Sequence, residues 1–269
     1  MYPITSFIKR HALVTFFALA YALSWSIWLF EAHGILPFGP LLAALLVLPF
    51  VGGWAGVKDF LRRIVQWRVS PRWYLLVLGL PAAVVAVAVG LNILLGAAAP
   101  MWERVPPLSE LPMMFLVIAL MIGLGEEPAW RGFALPRLSA GRSALAGSLL
   151  LFALHVVWHL PLFGLEYGLQ NGLPWLLMLL SGTITYTWLY NRTNGNLLLP
   201  LLFHTSVNVA AKYLFNPLFG GADALRLWWL VAALWLLIAC AVLVTTGREL
   251  GRLPTRPAEA TRVARTLTS

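Results

Sequence analysis

Seven side chains in this sequence combine types and spacings that can do acid–base chemistry. They are Glu126, Glu127 and Arg131 in GEEPAWRGFALPRL, His155 and His159 in FALHVVWHLPLF, and His204 and Asn208 in FHTSVNVA. Residues four apart on a helix share a face, with Cβ atoms about 5–6 Å apart, so Glu127 with Arg131, His155 with His159, and His204 with Asn208 can each act as a pair. Burial disfavours the charged form of a carboxylate, and such a group suits a general base that takes a proton from water. An arginine holds a second carboxylate in place through a charge-assisted bond. His159 and His204 can bind a metal, pass a proton or donate to an oxyanion, and Asn208 can be an oxyanion donor. Such a set makes a hydrolytic centre that needs no serine or cysteine nucleophile. Structural readings stand beside it: Glu127 and Arg131 as a buried ion pair, Glu126 as a carboxylate at a helix end, His155 as a histidine hydrogen-bonded inside a bundle, and Trp130, Trp158 and Phe152 as packing aromatics.

The elements that must position these groups are membrane helices. Of 269 residues, 60% are hydrophobic and 11% charged, against roughly 45–50% and about 25% in a soluble domain. The mean hydropathy is +0.82. An ordinary soluble protein is excluded, and continuous apolar runs without alternation exclude an outer-membrane barrel. Eight apolar stretches can be read, at about 11–31, 35–57, 73–96, 111–127, 143–164, 173–190, 196–215 and 226–246, each near the roughly 20 residues a crossing takes. The expected fold is an all-α membrane protein, a polytopic bundle of about eight transmembrane helices around a polar intramembrane cavity. Residues 1–246 form one transmembrane domain with its motif core at 126–208, and 247–269 form a basic, disordered cytoplasmic tail. The first stretch exceeds a signal-peptide h-region of about 7–15 residues, so it reads as a retained helix. The basic 58–72 loop reads as an interfacial helix, and no internal repeat is found.

Sixteen of the nineteen Lys and Arg fall in the termini and alternate loops, leaving only Arg104, Lys212 and Arg226 in or beside the others. Short basic loops stay cytoplasmic, so both termini are expected in the cytoplasm of a multi-pass protein of the cell membrane. Topology explains the net charge of +9, and no nucleic-acid partner is needed. The single cysteine, Cys240, excludes an intramolecular disulfide and a Cys-based metal cluster.

Ionisable groups at mid-bilayer cost about 2.5–3.5 kcal/mol each on insertion scales, so they default to functional hypotheses. Pro128 disfavours helix at Glu127 and blocks bonding to the carbonyl of Leu124. A backbone break is expected there, with Pro128 in the first turn of a new helix. Irregular backbone at membrane depth needs protein or a wet cavity around it, which puts a cavity at Glu126.

At these residues the sequence resembles the CPBP family, the CAAX-protease and bacteriocin-processing intramembrane proteases that include type II CAAX prenyl endopeptidases. Its EExxxR motif stands as Glu126-Glu127-Pro-Ala-Trp-Arg131, followed by Gly132 to Leu138; its WHLP motif is Trp158 to Pro161; and its histidine with asparagine four residues on is His204 and Asn208. The resemblance implies an eight-helix intramembrane endopeptidase. Glu126 would activate water with help from His159, His204 and Asn208 would serve the oxyanion, and Glu127 and Arg131 would position them. The family is labelled metalloprotease, which would make His159, His204 and Glu126 zinc ligands; a metal-free glutamate mechanism is equally open. The substrate would be a membrane-embedded or lipidated peptide or protein, prenylated or leader-type, met in the lipid bilayer. Two positions depart from the pattern. His155 replaces an aromatic four residues before the motif histidine and could add a ligand or fill the position, and Pro128 falls at a variable site. HExxH, GxGD and GxSG protease motifs are absent. The rival readings are a proton- or cation-coupled transporter, and a non-catalytic immunity or scaffold protein on the same fold.

Overall fold

A computed structural model describes residues 3–30, 33–163 and 168–253. The apolar stretches become helices: α1 (Ala12–Trp25), α2 (Gly39–Ile64), α3 (Pro71–Leu94), α4 (111–138), α5 (Ala144–His159), α6 (Gly172–Arg192), α7 (Leu198–Ala210, continued by a wide turn at Ala211–Phe215) and α8 (Gly221–Thr246). A short helix, Pro3–Arg10, precedes them. Among the described residues there is no strand, and seven helical segments are long and apolar enough to cross a membrane. The stretch at 173–190 forms α6, long enough at 21 residues but outside that set. It carries Ser181, Thr183, Thr185 and Thr187, all buried, with 181 and 185 on one side and 183 and 187 on the other. Each of these hydroxyls donates to the carbonyl four residues back, which satisfies it without water.

Local sequence explains where several helices start and bend. Ser143 caps α5, its Oγ accepting the Ala146 N–H at 3.2 Å. Pro71 opens α3 in the first turn, where its missing N–H is harmless. In α2, Gly53 adopts φ 58° and ψ −169°, so the helix is kinked and the basic limb after it is a separate rod. Residues 58–64 of the expected interfacial segment belong to that limb; 65–70 form the turn into α3. Arg63 turns back into the protein, donating to the carbonyl of Gly195 at 2.8 Å and to Tyr190 Oη at 2.7 Å.

The bundle has two main apolar cores. One joins α1, α2, α4 and α5 through Phe16, Phe60, Trp130, Phe133 and Trp158. The other joins α3, α6, α7 and α8 through Val77, Leu189, Phe203 and Trp235. Outside, large apolar side chains such as Leu75, Leu94 and Val244 stay exposed at 76%, 82% and 86%, a surface that suits lipid rather than water. The protein is a multi-pass helical membrane protein.

The expected tail begins as ordered chain. Asn191 Nδ2 donates to the carbonyls of Glu249 and Leu250, Leu250 is buried, and Arg252 donates to the carbonyl of Arg142. The remainder of that expected tail, 254–269, lies outside the described residues.

Candidate active site

Pro128 does not break the backbone. Glu127 and Pro128 both keep right-handed helical dihedrals, and α4 runs on through π-helical stretches at Ala119–Gly123 and Pro128–Ala134. Widening the turn accommodates the missing proline donor while keeping the helix whole, and such widened turns often mark functional sites. Two glycines let this helix press into its neighbours. A Cβ on Gly125 would lie 2.5 Å from the carbonyl oxygen of Pro37, and one on Gly123 would lie 2.8 Å from Thr205 Oγ1 on α7. The same close approach carries Glu126 and Glu127 into the middle of the bundle, 4% and 1% exposed.

A cavity of about 670 Å³ opens there, within the range of small-molecule and peptide sites. Its wall contains Glu126, Glu127 and Arg131 from α4, His155 and His159 from α5, and His204 and Asn208 from α7, so all seven residues of the sequence motifs meet in one space. Phe215, Trp228, Val231 and Trp235 add an apolar part to its lining. His33, Gly34, Ile35 and Pro37, before α2, also line it.

Two groupings divide the polar wall. In the first, Glu127 Oε1 accepts from Arg131 Nη1 at 3.0 Å and from His204 Nδ1 at 2.8 Å. The spacing of Glu127 and Arg131 therefore does produce a buried ion pair, and that pair also holds a histidine from another helix. The Arg131 guanidinium lies 4.7 Å from the centre of the Tyr186 ring on α6, a cation–π contact. Asn208 Nδ2 donates to the carbonyl of His204 at 3.2 Å and keeps a second N–H.

The second grouping is Glu126, His155 and His159. One ligand atom from each lies within 4.8 Å of the others. His159 Nδ1 lies 3.0 Å from the carbonyl of His155; a carbonyl only accepts, so Nδ1 carries the proton and Nε2 is left with its lone pair. His155 Nε2 is 3.5 Å from Glu126 Oε2. Neither His155 nitrogen nor Glu126 Oε2 has a hydrogen-bond partner among the described residues. The expectation of a His155 hydrogen-bonded within the bundle is thus corrected: Trp130, Trp158 and His159 surround the ring with π faces and edges, at 4.9, 5.7 and 4.6 Å between centroids, and supply no acceptor or donor to it.

The expected metal set of His159, His204 and Glu126 differs from this convergent trio by one residue. His204 is held by Glu127, while His155, one turn before His159, takes its place. Two imidazoles and a carboxylate, with the facing atoms of His155 and Glu126 buried and without a hydrogen bond, are a donor set that fits a divalent ion of the zinc type. Tyr186, under Arg131, was not legible from sequence, since an aromatic in the Thr-rich run TITYTWLY carries no spacing signal.

Residues 108–210 match the family described as type II CAAX prenyl endopeptidase Rce1-like. That segment contains every residue of the two groupings. The chain is thus similar over that segment to the type II CAAX prenyl endopeptidases. A relative, CAAX prenyl protease 2 of Methanococcus maripaludis, is 26% identical over 171 residues, covering 58% of this chain and 62% of the relative. The match thus spans less than two thirds of that CAAX-family protein's length. The motif resemblance and the family match fall on the same segment, 126–208 within 108–210.

Proposed function

We propose that this chain is a CAAX-type intramembrane endopeptidase that hydrolyses a peptide bond of a membrane-embedded or lipidated substrate with water activated at Glu126. The observation that carries this reading is the Glu126 carboxylate, buried inside an apolar bundle beside a large cavity, its Oε2 without a hydrogen bond among the described residues. Such a group takes a proton from water when the water attacks a carbonyl carbon. His159, with Nε2 as its free nitrogen, shares that proton and helps return it to the leaving amine. Asn208 and His204 face the same cavity and stabilise the oxyanion by donating to it, Asn208 from Nδ2 and His204, as the imidazolium, from Nε2 while Nδ1 stays on Glu127. Glu127 and Arg131 position His204 rather than react, because the shared Oε1 fixes the ring. In the alternative with a divalent ion, Glu126, His155 and His159 would hold it and it would supply Lewis acidity to the water, with Glu126 then a ligand rather than the base.

The apolar wall of Phe215, Trp228, Val231 and Trp235 suits a lipid chain or an apolar peptide segment, and the relative's name points to prenylated peptides as the first substrates to try. Both termini are proposed to face the cytoplasm, from the distribution of Lys and Arg.

The test is cleavage of prenylated and unprenylated membrane peptides by the purified chain in detergent. Glu126→Gln should lower the rate by about 10²–10⁴-fold, the usual contribution of a general base. A variant that cleaves within about tenfold of wild type, well short of that contribution, would overturn the assignment. Ion flux in proteoliposomes that depends on Glu126, without cleavage, would favour the transporter reading.

A further inference from the structure

A separate groove lies where the turn at 65–70 meets α3, and it shares no lining residue with the Glu126 cavity. We infer that it binds one anionic glycerophospholipid, with the phosphate at Arg68 and Arg72 and an acyl chain laid along α3 past Leu75, Leu78 and Gly79. The inference goes beyond the proteolytic reading and does not depend on it.

Shape comes first. The groove measures about 720 Å³ and lies between the turn at 67–69 and one face of α3. Pro71, Tyr74, Leu75, Leu78 and Gly79 fall at i, i+3, i+4, i+7 and i+8, so a single helical stripe lines it. Tyr74 Oη donates to the Trp67 carbonyl at 2.6 Å and the Val69 N–H donates to the same carbonyl at 2.9 Å, which ties the turn to the helix. Gly79 brings no side chain, and a Cβ there would meet no neighbouring atom within 4 Å. The groove is therefore open in the folded protein without any rearrangement.

Length comes second. Beyond Gly79 the same face carries Ala82, Ala83 and Ala86, so α3 places no bulky side chain in the path toward the middle of the span. From Leu75 to Ala86 is about 16 Å at 1.5 Å per residue, close to half of the roughly 30 Å hydrocarbon core. That is the depth of one leaflet, and so of one acyl chain. A soluble protein partner would cover the turn and leave this track unfilled.

Charge selects the headgroup. Of the five Lys and Arg at 58–72, Arg62 pairs with Asp59 at 2.7 Å and Arg63 turns inward, whereas Arg68 and Arg72 are exposed and make no ion pair among the described residues. Each lies against a tryptophan instead, the Arg68 guanidinium 5.1 Å from the centre of the Trp67 ring and that of Arg72 5.3 Å from the centre of Trp73. Stacking steadies a guanidinium and leaves its N–H edge free for phosphate. Trp and Tyr sit at headgroup level in membrane proteins, so Trp67, Trp73 and Tyr74 put both arginines level with lipid phosphates. A zwitterionic lipid offers the same phosphate beside a cation that the arginines repel, which leaves a net negative headgroup favoured.

The experiment is lipid binding to the full chain, stripped of lipid in detergent and followed by native mass spectrometry with phosphatidylglycerol and phosphatidylcholine of identical chains. Wild type should retain one phosphatidylglycerol at least about tenfold more tightly than phosphatidylcholine, because each basic residue near an anionic surface adds about fivefold. Arg68→Gln combined with Arg72→Gln should erase that preference and leave phosphatidylcholine binding unchanged. Gly79→Leu, which fills the groove without meeting a neighbour, should abolish retention of phosphatidylglycerol while keeping the unfolding temperature in lipid-free detergent. Leu75→Ala with Leu78→Ala, which strips the apolar flank, replaces it if the leucine variant misfolds and should weaken retention about tenfold. Glycerol phosphate, with the anion and no chain, should not displace the lipid. Equal retention of both lipids, wild-type binding in either the arginine or the groove variants, or displacement by glycerol phosphate would overturn the site. Cleavage is read in none of these arms, so failure here leaves the proposed function standing.

Discussion

Glu127 shows how one carboxylate can be occupied while its neighbour is free. Its Oε1 receives Arg131 and His204, so its charge is matched inside the membrane. Replacing Arg131 with Met leaves that buried charge with a histidine alone, and breaking a buried pair in this way costs about 3–5 kcal/mol. Arg131→Met should therefore lower the unfolding temperature in detergent markedly, whereas a variant as stable as wild type would show that the pair contributes nothing net. Asn208 has a different part to play. With one N–H spent on its own helix and the other facing the cavity, Asn208→Ala should lower kcat by about 10²–10³-fold with little change in KM or stability. A change confined to KM would mean that Asn208 binds substrate rather than the oxyanion. The spacing of four made the pairs on each helix legible in the sequence. It said nothing of the bond from Glu127 to His204, because those residues are 77 positions apart.

At the scale of elements, α4 decides where the chemistry sits. A helix can bring a carboxylate to the centre of a bundle only if its backbone approaches its neighbours closely, and Gly123 and Gly125 provide that approach. Gly125→Ala places a methyl group against the Pro37 carbonyl, which is backbone and cannot swing aside. It should cost about 1–3 kcal/mol, the usual penalty for overpacking, and should reduce cleavage by shifting Glu126. Unchanged stability and activity in this variant would mean that the 33–37 segment yields freely. Sequence reasoning located the irregularity at Pro128 but expected a break. Core packing of Ala129, Trp130 and Phe133, just after the proline, keeps the chain helical, and the turn widens instead. Propensity is local, and here tertiary burial outweighs it.

At the scale of the whole molecule, the distribution of basic residues makes a topological statement that labelling can check. In a Cys240→Ala background, Gln66→Cys lies in the turn between α2 and α3, and Ser109→Cys lies before α4; both positions are exposed. A membrane-impermeant thiol reagent should reach them from opposite sides of the bilayer, Gln66→Cys from the cytoplasm. Labelling of both from one side would refute the proposed orientation. The membrane class, the helical stretches and the three polar motifs were all determined by the sequence alone, because hydropathy and i, i+4 spacing act over one helix at a time. Only the tertiary structure decided that His155 joins Glu126, that His204 joins Glu127, that α6 buries its hydroxyls on both sides, and that Glu249 and Leu250 dock on Asn191. These outcomes depend on the rotation and depth of each helix against the others. That rotation is set by contacts between residues far apart in the chain, which periodicity within a single helix does not encode.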